Sequence, residues 1–295
     1  MSKIKVAVTQ MTCSDDFAEN LDKAEGLVRE AAAQGAQIIL LQELFEGPYF
    51  CKLQKCEYFA YAHEATLEDP FLARFSALAK ELKVVLPISF FERAGKTTYN
   101  SMAMMDADGT MMGIYRKIHI PQGPGYEEKY YFAPGDLGFK VWDTAYAKVG
   151  VGICWDQWYP ETARSLALLG ADILFYPTAI GSEPYTSDYD SSNPWRRAQM
   201  GHAASNMIPV CASNRVGTER DDDVEITFYG RSFIADETGA LVVDADRTTE
   251  GVWTAEFDFE AMRNFRLGWG FFRDRRPQHY GALLTHDGRN RVAGI

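Results

Sequence analysis

The chain lacks any apolar run approaching the roughly 18 residues needed to span a bilayer. Residues 1–10, Met-Ser-Lys-Ile-Lys-Val-Ala-Val-Thr-Gln, alternate like a strand and show no apolar signal segment, so a cytoplasmic protein is expected. Cysteine is sparse: Cys13, Cys51, Cys56, Cys154 and Cys211 are odd in number and none forms a Cys-x-x-Cys pair, which speaks against both a disulfide framework and a zinc site. His63, His119, His202, His279 and His286 are scattered without metal-ligand spacing, so neither metal nor other cofactor is expected. Basic residues are in deficit, 30 Lys and Arg against 41 Asp and Glu, for a net charge of −11. That balance argues against nucleic acid or an anionic membrane surface as partner and leans towards a cationic small molecule.

What is present is a 295-residue chain, 46% apolar, with no low-complexity stretch and no evident linker. It reads as one domain over 1–295. Residues 3–10 alternate as a strand, Ser14-Asp15-Asp16 supply a helix cap, and Phe17, Leu21, Ala24, Leu27, Val28 and Ala31 recur at helical spacing up to Gly35. Ile38-Ile39-Leu40-Leu41 follows as a buried strand, completing a strand-helix-strand unit. Asp69-Pro70 opens a second helix. The segments 84–91, 99–105 and 111–115, separated by Ala94-Gly95-Lys96 and Ala107-Asp108-Gly109, read as an antiparallel meander. Further strands are expected at 149–153, 173–177, 210–214, 228–234, 241–243 and 252–257. Helices are expected after Pro160, with Glu161, Ala163, Leu166 and Leu169 in phase, and at 195–206 and 259–267. The tail over 268–295 is aromatic and arginine-rich, a composition that in an acidic protein points to subunit contacts.

Three residues directly follow predicted strands: Glu43, Lys117 and Cys154. A thiol between a strand end and a helix start is either inert packing or a nucleophile, with backbone N–H groups and the helix dipole favouring its thiolate. Glu43 reads as a solvated edge charge, the usual case at a strand's end, or as a carboxylate held in a semi-buried cleft with a raised pKa. If their strands lie in adjacent sheets, the three side chains meet at one rim. The loop 122–138, with Tyr126, Glu128, Tyr130 and Tyr131, has too many rings for a solvated connection and is expected to line a pocket.

Leu41-Gln42-Glu43-Leu44, Tyr115-Arg116-Lys117-Ile118-His119 and Gly150-Val151-Gly152-Ile153-Cys154-Trp155-Asp156 come in the order found in the carbon-nitrogen hydrolase (nitrilase) superfamily, which the chain resembles over nearly its whole length. The runs 123–132, 154–158, 176–184 and 269–280 are similar to the branch that acts on carbamoylated amines. One departure is Pro194, which stands where a histidine usually precedes the helix opening at Trp195. Proline suits a first helical turn, so only a local change is expected there.

The resemblance implies a four-layer α-β-β-α sandwich, homo-oligomers built from dimers, and a catalytic set of Glu43, Lys117 and Cys154 with Glu128 as a fourth polar member. It also implies a small cationic carbamoyl-amine as substrate. Glu183 is then the candidate anchor for the far ammonium, or else a solvated loop charge. Tyr126, Trp155 and Trp158 would pack the aliphatic chain. The competing expectations are a related enzyme for β-ureidopropionate, carbamoyl amino acids or ω-amides, whose carboxylate would want an arginine or lysine in place of Glu183, and a catalytically silent scaffold.

Overall fold

A computed structural model describes residues 3–184, 186 and 188–289. Positions 290–295, the end of the tail expected to make subunit contacts, lie outside the described residues.

The first unit is β1 (Ile4–Met11), α1 (Phe17–Ala33) and β2 (Ile38–Leu40). Asp16 caps α1 by accepting the amide of Glu19, and β2 returns parallel to β1. α2 (Pro70–Leu82) starts on Asp69, whose carboxylate accepts the amides of Phe71 and Leu72. The meander follows as β3 (Leu86–Ala94), β4 (Thr97–Met105) and β5 (Met111–Arg116), all antiparallel. After it come the short α3 (Glu128–Tyr131), β6 (Val141–Asp143), β7 (Lys148–Val151), α4 (Pro160–Leu168) and β8 (Ile173–Pro177). The chain ends through α5 (Ser192–Asn206), β9 (Val210–Asp221), β10 (Val224–Tyr229), β11 (Phe233–Ala235), β12 (Leu241–Asp244), β13 (Gly251–Phe257) and α6 (Phe259–Trp269).

Strand alternation builds four layers. In β1 and β2, Val6, Val8, Ile38 and Leu40 face one way, and they pack with Val149, Val151, Ile173 and Phe175 of β7 and β8 in a core between two sheets. The intervening Ala7 and Ile39 face outward onto Leu27, Val28, Phe71 and Phe75 of α1 and α2. On the opposite side Leu174 and Tyr176 pack under Ala163 and Leu166 of α4 and Trp195 and Ala203 of α5. Helix, sheet, sheet and helix therefore stack as the four-layer α-β-β-α sandwich expected. One sheet runs β13-β1-β2 and continues through the bridge Ile38–Val85 towards β3-β4-β5; the other runs β6-β7-β8-β9-β11-β12. They are stitched together where Gln10 and Met11 pair with Asn214 and Arg215.

Three local expectations need correction, and one strand, β6, was not expected. The single strand expected at 228–234 is two, because Gly230 (φ +57°) and Arg231 (φ +56°) turn the backbone left-handed between β10 and β11. A side chain at Gly230 would stand 2.9 Å from the carbonyls of Asp246 and Arg247. β9 extends well past Asn214, carried to Asp221 by its pairing with β10. β6 has only three residues, too few to show an alternation, and exists by pairing with β7. Leu169 is 55% exposed; Thr162, Ala163, Leu166 and Ala167 are what α4 buries. α5 opens at Ser192, so Pro194 is its third residue, still in the first turn, where a missing N–H costs no intrahelical hydrogen bond.

Candidate active site

Glu43 follows β2 in a turn whose next residue, Leu44, has φ +49°. The Glu43 side chain is fully buried. Its Oε1 accepts the Asn100 amide at 2.7 Å and the Lys117 ammonium at 2.8 Å. Its Oε2 has no hydrogen-bond partner. A buried carboxylate oxygen without a donor is costly, so this orphan marks a place where a proton or a ligand belongs.

Lys117, the residue after β5, is likewise fully buried and is held twice by its backbone. Its N–H donates to Asn100 O, and its carbonyl accepts the amide of Gly135, each at 2.8 Å. Gly135 approaches so closely that a Cβ there would lie 2.1 Å from Arg116 O, which reserves the position for glycine. The Lys117 ammonium bridges Glu43 and, at 2.6 Å, Oε2 of Glu128. Glu128 begins α3 and takes the Tyr49 hydroxyl on Oε1 at 2.8 Å. Burial alone would lower the Lys117 ammonium, but Glu128 and Glu43 overcome it and hold it well above the usual lysine range. Burial pushes the Glu128 carboxyl up to about 7 against the pull of Lys117, with Glu43 adding to the rise.

Cys154 opens a five-residue 3-10 turn after β7, with φ +41°. The expectation of a thiol favoured as thiolate by an adjoining helix start is corrected here. Cys154 is only 7% exposed, and α4 does not begin until Pro160. Burial first, and then the negative charge of Glu43, push the thiol well above its ordinary range, with Lys117 opposing. The resting group is a thiol, which could act as a nucleophile only beside a base able to take its proton. Asp156 fixes the turn: its carboxylate accepts the amides of Ile153 (2.9 Å) and His119 (3.0 Å) and the Tyr115 hydroxyl (2.7 Å). It thereby ties the segment after β5, which begins with Lys117, to the Cys154 turn.

Cys154 and Glu128 both line a cavity of about 310 Å³, within the range of small-molecule sites. Glu43 and Lys117 stand behind that wall and do not line it. Tyr126, Trp155, Trp158 and Glu183, all expected at the pocket, do line it, together with Gln122, Ile180 and Tyr189. The two indoles lie 6.2 Å apart, and Trp155 is 38% exposed at the rim. Tyr126 fastens the segment leading to Glu183, donating to Ser182 O and accepting the Gly181 amide, each at 3.1 Å. Glu183 is half-buried, and burial raises its carboxyl. Among the described residues no lysine or arginine lines the cavity. Of the aromatic loop's other rings, Tyr131 is buried against Phe50 and Phe91 and serves packing.

Three polar contributors went unread in the sequence. Asn100 left a signal, since asparagine is a poor strand residue and sits buried mid-strand in β4. Asp156 lies two residues past Cys154 in the motif over 150–156, and Tyr49 is one ring among several in its loop.

Comparison with known proteins agrees with this fold. The chain is 56% identical to a citrullinase of Francisella tularensis over 96% of its own length and 99% of that protein. It is equally 56% identical to an N-carbamoylputrescine amidase of Solanum tuberosum, over 98% and 97% of the two chains. A solved carbon-nitrogen hydrolase from Helicobacter pylori superposes with a TM-score of 0.90 at 38% identity, covering 97% of this chain and 99% of that one. Residues 5–267 match the carbon-nitrogen hydrolase family, and with that span and those relatives the chain belongs to it.

Proposed function

We propose that the chain hydrolyses N-carbamoylputrescine to putrescine, ammonia and carbon dioxide, a step in forming putrescine from arginine by way of agmatine. The observation that carries this reading is the cavity itself: a thiol in its wall, indoles and a tyrosine along it, a carboxylate at Glu183, and no cation lining it among the described residues. The unpaired Oε2 of Glu43 takes the Cys154 proton as sulfur attacks the ureido carbon, then passes it to the leaving nitrogen. Lys117 and the backbone N–H of Trp155 stabilise the oxyanion, and Glu128 holds Lys117 in place. Water activated by Glu43 releases the carbamoyl group and returns the thiol. Residues 1–295 act as one domain, and chains associate as homo-oligomers through the tail. The exposed Phe265, Leu267, Trp269, Leu283 and Leu284 support that association.

Citrulline is the same carbamoylated chain with a carboxylate on the carbon that bears the far amine, and the citrullinase relative makes it the natural competitor. A cavity carrying Glu183, with no lysine or arginine in its lining among the described residues, disfavours that carboxylate. Ammonia release from a panel of N-carbamoylputrescine, citrulline, β-ureidopropionate and an ω-amide tests the reading. A kcat/KM at least about 10-fold higher for the carbamoylated diamine than for citrulline is expected, and the reverse order sinks the assignment. Glu183→Gln separately removes a charge-assisted contact to the ammonium, so KM for N-carbamoylputrescine rises about 10- to 100-fold while kcat changes far less. An unchanged preference between charged and uncharged carbamoyl substrates in that variant takes Glu183 out of the site.

A further inference from the structure

A second buried charge cluster lies behind the site and touches none of its reacting groups. Arg215 stands on β9 opposite Met11 of β1, with no solvent exposure. Its guanidinium reaches into the turn that carries Glu43. Nε and Nη2 donate to Glu43 O at 3.3 and 3.2 Å, Nη2 also donates to Leu44 O, and Nη1 donates to Gly47 O at 3.0 Å. Nη1 also pairs with Glu219 at 2.8 Å, which brings the guanidinium's bonds to five, as many as its N–H donors. Glu219 in turn accepts the Tyr49 amide at 2.6 Å and the Lys52 ammonium at 3.2 Å, and Lys52 donates to Tyr49 O at 2.9 Å. Tyr49 closes the path through its hydroxyl on Glu128.

We infer that Arg215, with Glu219 as its partner, is a positioning residue for the hydrolysis, setting where both Glu43 and Glu128 stand. The inference rests on the proposed roles of those two carboxylates. The turn needs an external template. Leu44 holds a left-handed φ that a branched residue adopts at a cost, and three carbonyls of the turn point inward, where only a buried donor satisfies them. A planar fork of donors fixes those carbonyls in one arrangement, whereas a lysine ammonium offers three rotatable donors from a single point. If the template loosens, the Glu43 carboxylate moves relative to the Cys154 sulfur, and a displacement of about 1 Å costs on the order of 10²-fold in rate. Substrate contacts from Trp155, Trp158 and Glu183 lie on other segments and are untouched.

The test compares Arg215→Lys and Glu219→Gln with the parent and with Glu43→Gln, each assayed well below its melting temperature. Arg215→Lys is expected to lower kcat about 10- to 100-fold with KM within about threefold. The rate of Cys154 alkylation by iodoacetamide, followed on the Cys154 peptide by mass spectrometry, should fall in step with kcat. Glu219→Gln, which keeps an acceptor but loses its charge, should move both rates in the same direction by a smaller factor, and it carries the test if the lysine variant does not fold. A lower melting temperature with kcat and alkylation within twofold of the parent means that Arg215 is only structural and overturns the inference, as does a loss that falls on KM. Should Glu43→Gln itself keep ordinary turnover, the reading of Glu43 as base is what fails; a dead Glu43→Gln beside an active Arg215→Lys removes the positioning role alone.

Discussion

With Cys154 as the proposed nucleophile, Cys154→Ala is expected to leave a folded protein with no measurable release of ammonia from N-carbamoylputrescine, a loss of about four orders of magnitude or more in kcat. The fold survives because the change removes one sulfur atom from a residue of small volume, at a cost of about 1 kcal/mol in lost burial. The left-handed φ of +41° is met by Ala about as well as by Cys, so the turn braced by Asp156 is retained. Chemistry does not survive, because no other thiol lines the cavity: Cys51 is buried in the aromatic cluster around Phe50 and Phe91, and Cys211 lies in the core between the sheets. Cys154→Ser is expected to be nearly as inactive, since a hydroxyl is a weaker nucleophile and needs more from its base. Ammonia assays at saturating substrate, with circular dichroism as the control for folding, decide the matter. Ordinary turnover by Cys154→Ala rules out a covalent route through this residue, and ordinary turnover by Cys154→Ser removes the need for a thiol there.

Lys117→Met carries the largest combined penalty in activity and stability. With Lys117 in its proposed role as an oxyanion donor, its removal costs about 2.7–4 kcal/mol of barrier, or 10²- to 10³-fold in kcat. The same change strips Glu43 and Glu128 of the cation between them, at 2.8 and 2.6 Å, and leaves two carboxylates facing each other in a dry site. Breaking a buried pair on one side costs about 3–5 kcal/mol, a fall of about 6–10 °C in melting temperature for a chain of this size. The loss depends on pH. In the parent, the Glu128 carboxyl at about 7 binds its proton more tightly folded than unfolded, where its ordinary value is 4.5. The contribution of Glu128 to stability therefore declines as pH rises from about 4.5 to about 7 and is level above that. Without Lys117 the opposing pull vanishes and Glu128 rises further, so the decline extends to higher pH. Thermal melts of parent and variant should diverge more at pH 8 than at pH 6; a gap independent of pH removes the carboxylate pair as its cause.

Much of the architecture was legible because the period of apolar residues is unambiguous where elements are long or buried. α1 and α2 announce themselves through Asp16, Asp69 and Pro70, and the β3-β4-β5 meander through its turns. The convergence of Glu43, Lys117 and Cys154 was legible only as a shared position after strands. Two of those strands sit in the sheet nearer α1 and α2 and the third in the other, a relation set by pairings far apart in the chain. What stayed hidden has the same origin. Asn100, Tyr49, Arg215 and Glu219 act through hydrogen bonds to partners tens to more than a hundred residues away, and no local pattern encodes such a partner. The thiol was misjudged for a related reason: its surroundings are set by Glu43 and by burial from a second sheet.

The stitch between the sheets, where Gln10 and Met11 meet Asn214 and Arg215, also governs the order in which a growing chain becomes an enzyme. Glu43, Lys117, Glu128 and Cys154 all leave the ribosome before Arg215, yet the turn holding the first of them has its template only once β9 has emerged. Contacts of such long sequence separation form late and together. A nascent chain that stops short of β9 thus carries the proposed reactive groups and the hydrogen bonds among them, but lacks the donors that hold the turn bearing Glu43.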